Sequence, residues 1–227
     1  MKKILTILLC TSFLLTGCGN MSRAGKGALI GAGSGAAAGA GLGAIIGKDG
    51  KSAAIGGAVG TAVGAAVGAV IGDVMDKKAA KMAEIEGVQV ETVTDVNGLD
   101  AIKVTFDSGI LFETGKYALT EASKVSLSKF AVEMRDLPET DITIYGHTDN
   151  TGSAAVNERL SLQRAQAVSD YLKSLGIAAE RMVYEGKSYT EPVADNSTVE
   201  GRRLNRRVEV FISANETMIK QAEEGTL

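Results

Sequence analysis

The sequence predicts an α+β protein in which helices lie on one side of a mixed β-sheet, preceded by a glycine-rich helical hairpin. Glycines recur at every fourth position over much of the first third of the chain. In the rest of the chain, segments that alternate like strands are interspersed with segments whose apolar residues have helical spacing. Turn and capping residues separate these segments, which is typical of a layered α+β domain.

The first residues have the composition of a targeting segment rather than of a folded element. Two lysines follow the first methionine, and the apolar run 4–15 is too short to span a bilayer comfortably. A Leu-Thr-Gly-Cys motif then ends at Cys18 and resembles a bacterial lipobox, in which the cysteine is lipidated before cleavage. We expect 1–17 to be a lipoprotein signal peptide and 18–26 a lipidated linker. The alternative is an ordinary signal peptide with an unrelated cysteine.

Cysteine content and charge exclude several classes of protein. The chain has two cysteines, and Cys10 lies within the apolar run, so the mature chain would keep only Cys18. This excludes a disulfide framework and a thiolate pair for a metal. The net charge of -3 gives no general electrostatic reason to expect nucleic acid as a partner.

Residues 27–72 consist almost entirely of glycine, alanine, valine and isoleucine, in two runs separated by a polar break at 48–52. A four-residue glycine period forms one stripe on a helix and allows close approach of another helix. Because each glycine costs a helix ~1 kcal/mol relative to alanine, such helices need a partner in lipid or in an oligomer. We expect a glycine-zipper hairpin, inserted in lipid or forming homo-oligomers. The alternative is a flexible low-complexity spacer.

The segment 73–87 has a charged helical pattern and is predicted to be a linker helix. A globular domain is expected at 88–213 and a C-terminal tail at 214–227. Within the domain, alternation predicts strands, and capping residues mark the helix ends. The predicted elements are strands at 88–94 and 99–106 joined by Asn97-Gly98, a helix after Thr120 that Pro138 ends, a strand ending at Gly146, a helix from about Ser153 to Leu175 closed by Gly176, and strands at 181–187 and 206–212.

The candidate chemistry lies in the polar stretch 145–152, which joins a predicted strand to the second long helix. Helical spacing places Arg164 in a largely core-like stripe, where an unpaired charge is costly. Asp149 is its nearest candidate partner, and the two form either a structural salt bridge or a cleft for a ligand that carries both charges. An amino-acid end, with an ammonium beside a carboxylate, would satisfy both residues. Thr148 and Asn157 would add neutral hydrogen-bonding groups.

Several motifs in order resemble the C-terminal peptidoglycan-binding domain of the OmpA family, over about 99–213. They are Ile-Tyr-Gly-His-Thr-Asp-Asn-Thr-Gly at 144–152, Asn-Glu-Arg-Leu-Ser-Leu-Gln-Arg-Ala at 157–165, Tyr-Leu at 171–172 and Gly-Arg-Arg-Leu-Asn-Arg-Arg-Val-Glu at 201–209. With its lipobox and glycine repeats, the whole chain resembles a YiaD-type outer-membrane lipoprotein.

The resemblance implies binding of the diaminopimelate residue of the peptidoglycan stem peptide. It implies that Asp149 meets the ammonium of this residue and that Arg164 meets its carboxylate. The further lining positions that it implies are Thr148, Asn157 and Arg206, with backbone contacts from a loop at Asp107, Gly109 and Ile110.

We therefore expect a non-catalytic lipoprotein that tethers the outer membrane to peptidoglycan, with its C-terminal domain in the periplasm and no cofactor. Gly19 supports this location, because the position lacks the acidic residue that would suggest inner-membrane retention. The alternatives are a peptidoglycan-associated scaffold or an oligomeric, stator-like membrane component. An apolar run at 53–72 without an acidic residue argues against an ion path.

An enzyme that trims peptidoglycan is the weakest alternative. It would need a carboxylate pair of raised pKa or a metal, and the sequence offers no convincing set. His147 is the only histidine, and one histidine with one aspartate gives too few ligands for zinc. We expect His147 to have a structural role, as a hydrogen-bonding residue at the end of a strand.

Overall fold

A computed structural model describes residues 64–107, 111–113 and 115–227 of the chain. The predicted signal peptide, Cys18 and most of the glycine-rich hairpin lie outside the described residues. Within the described ranges, no helix combines the length and the apolar character that crossing a membrane requires.

The described part of the chain contains both helices and strands. In order they are α1 (Ala65–Met82), β1 (Val88–Thr94), β2 (Asp100–Asp107), α2 (Glu121–Arg135), β3 (Thr140–Gly146), α3 (Ala154–Ser174), a 3-10 turn (Ala179–Arg181), β4 (Met182–Gly186), α4 (Val199–Asn205), β5 (Arg207–Ala214) and α5 (Glu216–Glu224).

The five strands form one sheet in the order β1-β2-β5-β3-β4. The β3 and β4 strands pair in parallel and the other neighbours are antiparallel, so the predicted mixed sheet is confirmed. Val210 of β5 pairs with Val104 on one side and Ile144 on the other. Because side chains alternate along a strand, this register places apolar residues of neighbouring strands on one face.

The core lies between that apolar face and the long helices. Phe106 of β2 meets Phe130 of α2 edge to face, with ring centroids 5.8 Å apart. Buried residues of α1, α2 and α3 belong to the same apolar cluster as the sheet residues. The predicted α+β class, with helices covering one sheet face, is confirmed; the short α4 is an addition, and its Arg203 and Leu204 line a cavity on the other face.

The packed unit extends beyond the predicted domain limits of 88–213 at both ends. The α1 helix runs without interruption across the boundary predicted at 72–73, and its Met75 and Met82 are completely buried in the common core. The predicted tail contains α5, which packs on α1 and buries Met218 completely. Both helices belong to the domain because their apolar residues complete its core.

Local signals at the element ends agree with the predicted turns and caps. The Thr120 side chain accepts a hydrogen bond from the Ser123 amide (3.1 Å), and Ser153 caps α3 in the same way. The turn between β1 and β2 requires a left-handed residue, which Gly98 supplies with φ +77°. These caps fix where α2 and α3 begin, and α3 carries the candidate site.

Candidate functional site

The site depends on a close approach between α3 and the ends of two paired strands. Gly146 of β3 and Gly186 of β4 are direct partners in the sheet. A Cβ atom at Gly146 would lie 2.1 Å from the carbonyl oxygen of Ser161, and one at Gly186 would lie 2.5 Å from the amide nitrogen of Leu162. Only glycine allows this contact, so the two glycines position α3 over the end of the sheet.

The loop after β3 is fixed by backbone hydrogen bonds to neighbouring segments. The amide of His147 donates to the carbonyl of Arg207 (2.9 Å), and that of Thr148 donates to the carbonyl of Ser188 (2.8 Å). The hydroxyl of Thr148 is buried and has no hydrogen-bond partner among the described residues. The loop therefore holds a polar group in place that remains available to a ligand.

His147 lies at the end of β3, with a buried ring. Its Nε2 atom is 3.5 Å from a carboxylate oxygen of Glu209, which is an electrostatic contact rather than a well-formed hydrogen bond. Its backbone hydrogen bond matches the structural role that the sequence predicts for it. Across the described residues, no group of three or more histidines, cysteines or carboxylates is placed to hold a metal ion.

Asp149 is 8% exposed and is held by Arg206 and Thr151. Arg206 donates from Nη1 to Oδ2 (2.7 Å), and the amide of Thr151 donates to Oδ1 (2.9 Å). Burial alone would raise the pKa of the Asp149 carboxyl, but these hydrogen bonds and the charge of Arg206 lower it below its ordinary value of 3.8. Asp149 is therefore a fixed, ionised acceptor at neutral pH.

Arg164 projects from α3 and is 1% exposed. Its Nε donates to the carbonyl of Lys116 (3.2 Å), and the guanidinium lies over the Phe112 ring, 5.2 Å from the ring centre. Among the described residues, Nη1 has no hydrogen-bond partner and no carboxylate pairs with Arg164. Burial, with a smaller effect from the charge of Arg206, lowers the pKa of Arg164 to about 10, which leaves it charged at neutral pH.

Asn157 supports the loop after β3 from the first turn of α3. It is 3% exposed, and its side-chain nitrogen donates to the carbonyl of Thr151 (3.0 Å). Because Thr151 in turn holds Asp149, Asn157 stabilises the conformation of the carboxylate. A lining role for Asn157 stays a prediction.

The remaining predicted site residues are Asp107, which is the last residue of β2, and the residues 109 and 110 that follow it in the sequence. Asp107 pairs with Arg203 of α4 and lines a cavity of about 420 Å³ with Arg207 and Glu209, on the sheet face away from the long helices. Gly109 and Ile110 lie outside the described residues, so the backbone contacts proposed for this loop stay predictions.

The charges of the site favour a ligand that carries both signs. Arg206 bonds directly to Asp149, and the charges of both residues affect the pKa of the buried Arg164. Such a set can hold an ammonium at the carboxylate and a carboxylate at the guanidinium groups. The sequence did not predict the Asp149–Arg206 pair, nor the contacts that Phe112 and Lys116 make with Arg164.

Comparison with known families identifies the class of protein. Residues 111–206, which contain most of this site, match the model of the OmpA family. Residues 1–79 match the model of the YMGG-like Gly-zipper family. The protein thus has an OmpA-family domain behind a YMGG-like Gly-zipper segment, and the resemblance seen in the motifs is confirmed.

The chain is similar to several curated proteins over its C-terminal part. Outer membrane protein Omp38 of Acinetobacter baumannii is 34% identical over 146 residues, 64% of this chain and 41% of that protein. Peptidoglycan-binding protein ArfA of Mycobacterium tuberculosis is 38% identical over 113 residues, 50% of this chain and 35% of that protein. Probable lipoprotein YiaD of Escherichia coli is 35% identical over 114 residues, 50% of this chain and 52% of that protein. The chain therefore spans about a third to a half of the length of these relatives.

Solved structures share the fold. The cell wall anchor of the T6SS from Pseudomonas aeruginosa is 32% identical with a TM-score of 0.53, and the match covers 62% of this chain and 97% of that one. The periplasmic domain of Helicobacter pylori MotB, 23% identical with a TM-score of 0.52, covers 62% of this chain and 88% of its own. Because its identity is only 23%, the MotB match supports the fold alone.

Proposed function

We propose that this protein is a non-catalytic envelope lipoprotein whose C-terminal domain binds peptidoglycan through the diaminopimelate residue of the stem peptide. One observation carries the proposal: the buried guanidinium of Arg164 has a free Nη1 and no carboxylate partner among the described residues. An uncompensated buried charge is expensive, and a ligand carboxylate would satisfy it. Asp149, ionised and nearby, supplies the acceptor for the ammonium on the same ligand.

The pairing of Asp149 argues against a purely structural salt bridge between Asp149 and Arg164. Asp149 bonds to Arg206 instead, so the carboxylate does not neutralise Arg164 directly. The names of two similar proteins also support binding to the cell wall, since one is a peptidoglycan-binding protein and another is a cell wall anchor. The ligand, its diaminopimelate specificity and the lining roles of Thr148 and Arg206 belong to the proposal.

The test is co-sedimentation of the full chain, purified in detergent, with purified cell-wall sacculi. Sacculi whose stem peptides contain diaminopimelate should pellet the protein, whereas sacculi with lysine at that position, which lacks the side-chain carboxylate, should not. We expect Asp149→Asn and Arg164→Gln each to weaken binding about tenfold or more, because each leaves one ligand charge without its partner. Free diaminopimelate should compete with the sacculi.

Matched controls use the exposed face of α3. Arg159→Gln and Asp170→Asn make the same charge changes at exposed positions and should bind like the unchanged protein. Thermal unfolding of each variant separates loss of binding from loss of fold. If the site variants remain folded and still sediment fully, the assignment of the site is wrong. If the protein releases soluble fragments from the sacculi, it is an enzyme and not a non-catalytic binding protein.

We further infer that Cys18 carries a lipid that anchors the chain to the outer membrane, with the C-terminal domain in the periplasm. The Leu-Thr-Gly-Cys motif after a short apolar run supports this, as does similarity to a probable lipoprotein. Cys18→Ser should abolish labelling by a fatty acid and release the protein from membranes, whereas Cys10→Ser should change neither. Retention and labelling of Cys18→Ser would refute the anchor.

A further inference from the structure

The charges of the candidate site do not balance, and the imbalance restricts the ligand. Arg206 bonds to the one carboxylate of the site, that of Asp149, while the second guanidinium, that of Arg164, is buried with Nη1 unpaired among the described residues. The residues of 107–120 that lie outside the described ranges, at 108–110 and 114, are serine, glycine, isoleucine and threonine, none of which carries a charge. The three charged groups together carry one net positive charge.

The two arginines differ in how they are held. Arg164 is almost completely buried, with its Nε and its ring contact already used and Nη1 left over. The side chain of Arg206 is 30% exposed, and its bond to Asp149 uses Nη1. Without a ligand, Arg206 therefore bonds to the same Asp149 carboxylate that the ligand ammonium would bind.

A ligand ammonium at Asp149 therefore competes with Arg206 for the same carboxylate. When an ammonium takes the place of Arg206 at Asp149, Arg206 loses its counter-ion and requires another anion. If the ligand has only one carboxylate and this carboxylate binds the buried Arg164, it must also be shared with Arg206. A second carboxylate on the same ligand would restore one partner for every charge.

Diaminopimelate carries two amino-acid centres. The centre at the end of its side chain bears a free ammonium and a carboxylate. The other centre belongs to the stem-peptide backbone, and its carboxyl group is free only where diaminopimelate is the last residue of the stem; otherwise an amide bond to the next residue neutralises it.

We propose that Arg206 is a specificity residue that binds this second carboxylate, so that the site prefers stem peptides that end in diaminopimelate. This inference rests on the proposed function, because it assumes that the side-chain centre binds at Asp149 and Arg164. Because the side chain of Arg206 is 30% exposed and Arg164 is 1% exposed, we assign the outer carboxylate to Arg206 and the inner one to Arg164.

The experiment compares two synthetic probes by calorimetry with the full chain in detergent. In both probes the α-carboxyl of the γ-linked D-glutamyl residue is amidated, so that this group cannot pair with Arg206. One probe is L-alanyl-γ-D-isoglutaminyl-meso-diaminopimelate with a free backbone carboxyl on the diaminopimelate, and the other is the same tripeptide with that carboxyl amidated. Because one charge-assisted contact contributes about 1.5–3 kcal/mol, the acid should bind roughly 10- to 100-fold more tightly than the amide. In Arg206→Gln the two probes should bind alike, and Arg206→Lys should keep part of the preference.

Controls and contrary outcomes separate this inference from the function on which it rests. Arg159→Gln, which removes an exposed positive charge from α3, should preserve the full preference and so exclude a general field effect. Equal binding of acid and amide to the unchanged protein would overturn the inference and leave the proposed function intact. A full preference in folded Arg206→Gln would also overturn it, since another group would then read the carboxylate. If neither probe binds and sacculi do not pellet the protein, the proposed function fails as well.

Discussion

Replacing Gly146 with alanine tests whether the contact between α3 and the sheet positions the site. The added Cβ would lie 2.1 Å from the carbonyl oxygen of Ser161, 3.0 Å from its carbonyl carbon and 3.3 Å from the amide nitrogen of Ala165. These are backbone atoms in the middle of a helix, so no side-chain rotation relieves the clash. The helix must move by about 1 Å before the contact becomes tolerable.

Overpacking of this kind costs about 1–3 kcal/mol, and sometimes more. For a chain of this size, this corresponds to a melting temperature lower by roughly 2–12 °C. Urea unfolding of the full chain in detergent measures the loss directly. Gly68→Ala in α1 is the control, because the nearest atom of the described residues to its added Cβ is in Leu99 at 3.9 Å, an ordinary contact distance. Since alanine is also the better helix former, this variant should not lower stability.

Gly186→Ala is a second test of the contact between α3 and the sheet, because its added Cβ would lie 2.5 Å from the amide nitrogen of Leu162. Once α3 has moved for one alanine, the other has less to displace, so the double variant should cost less than the sum of the single variants. Both should also weaken binding to sacculi, since α3 carries Arg164 while the loop after β3 carries Asp149. Stability within 0.5 kcal/mol of the unchanged protein for Gly146→Ala would refute this account.

The other predictions concern acid stability, the site carboxylate and the C-terminal helix. Burial would raise the pKa of Glu209, but contacts with His147 and Arg207 lower it from 4.5 to about 2. The ionised carboxylate therefore stabilises the fold by on the order of 3 kcal/mol. This contribution is complete above pH 4.5 and disappears as the pH falls towards 2. Glu209→Gln should flatten the acid limb of stability measured by urea unfolding, and an unchanged limb would contradict this. Because the pKa of Asp149 is lowered, binding of the ammonium should persist at pH 5 and weaken only below about 3.8, measured by calorimetry; loss of binding already at pH 5 would count against it. Met218→Ala should destabilise the chain by about 2–5 kcal/mol, because the side chain is completely buried; a loss below 0.5 kcal/mol would show that α5 is not part of the core.

The strands and long helices could be predicted because their signals are local. Residues two or four apart decide the alternation of β3 and the apolar stripe of α2, and Thr120 marks where α2 begins. Each of these signals depends on a few neighbours in the chain. The class of fold follows from their order.

The limits of the domain could not be predicted in the same way. The apolar stripe that contains Met75 and Met82 is visible in the sequence of α1, and Met218 with Ala222 forms a shorter one in α5. A stripe shows that a helix needs a partner but not which surface that partner offers. Both helices are rich in charged residues, which made them resemble a linker and a tail.

The candidate site was predictable in its residue types and less so in its pairing. The cost of burying Arg164 in an apolar stripe pointed to an anion, and the structure confirms that the side chain is buried. The partner of Asp149 is Arg206, 57 residues away, and no periodic pattern links the two. The contact of Arg164 with Phe112 likewise comes from a segment without a helical or strand pattern. Pairings of this kind depend on the tertiary fold and not on local sequence.

The last glycines of the four-residue period show what that pattern does in the described part of the chain. In α1, a Cβ at Gly72 would lie 2.7 Å from a carboxylate oxygen of Asp100, and one at Gly68 would meet Leu99 at 3.9 Å. These glycines therefore face the start of β2, so that this end of the glycine period makes a helix-to-sheet contact rather than a helix-to-helix seam. Because Ile71 and Met75 on the same helix are completely buried, α1 is fixed to the sheet. If Cys18 carries the lipid, the glycine-rich chain from the anchor leads directly into a helix of the binding domain's own core.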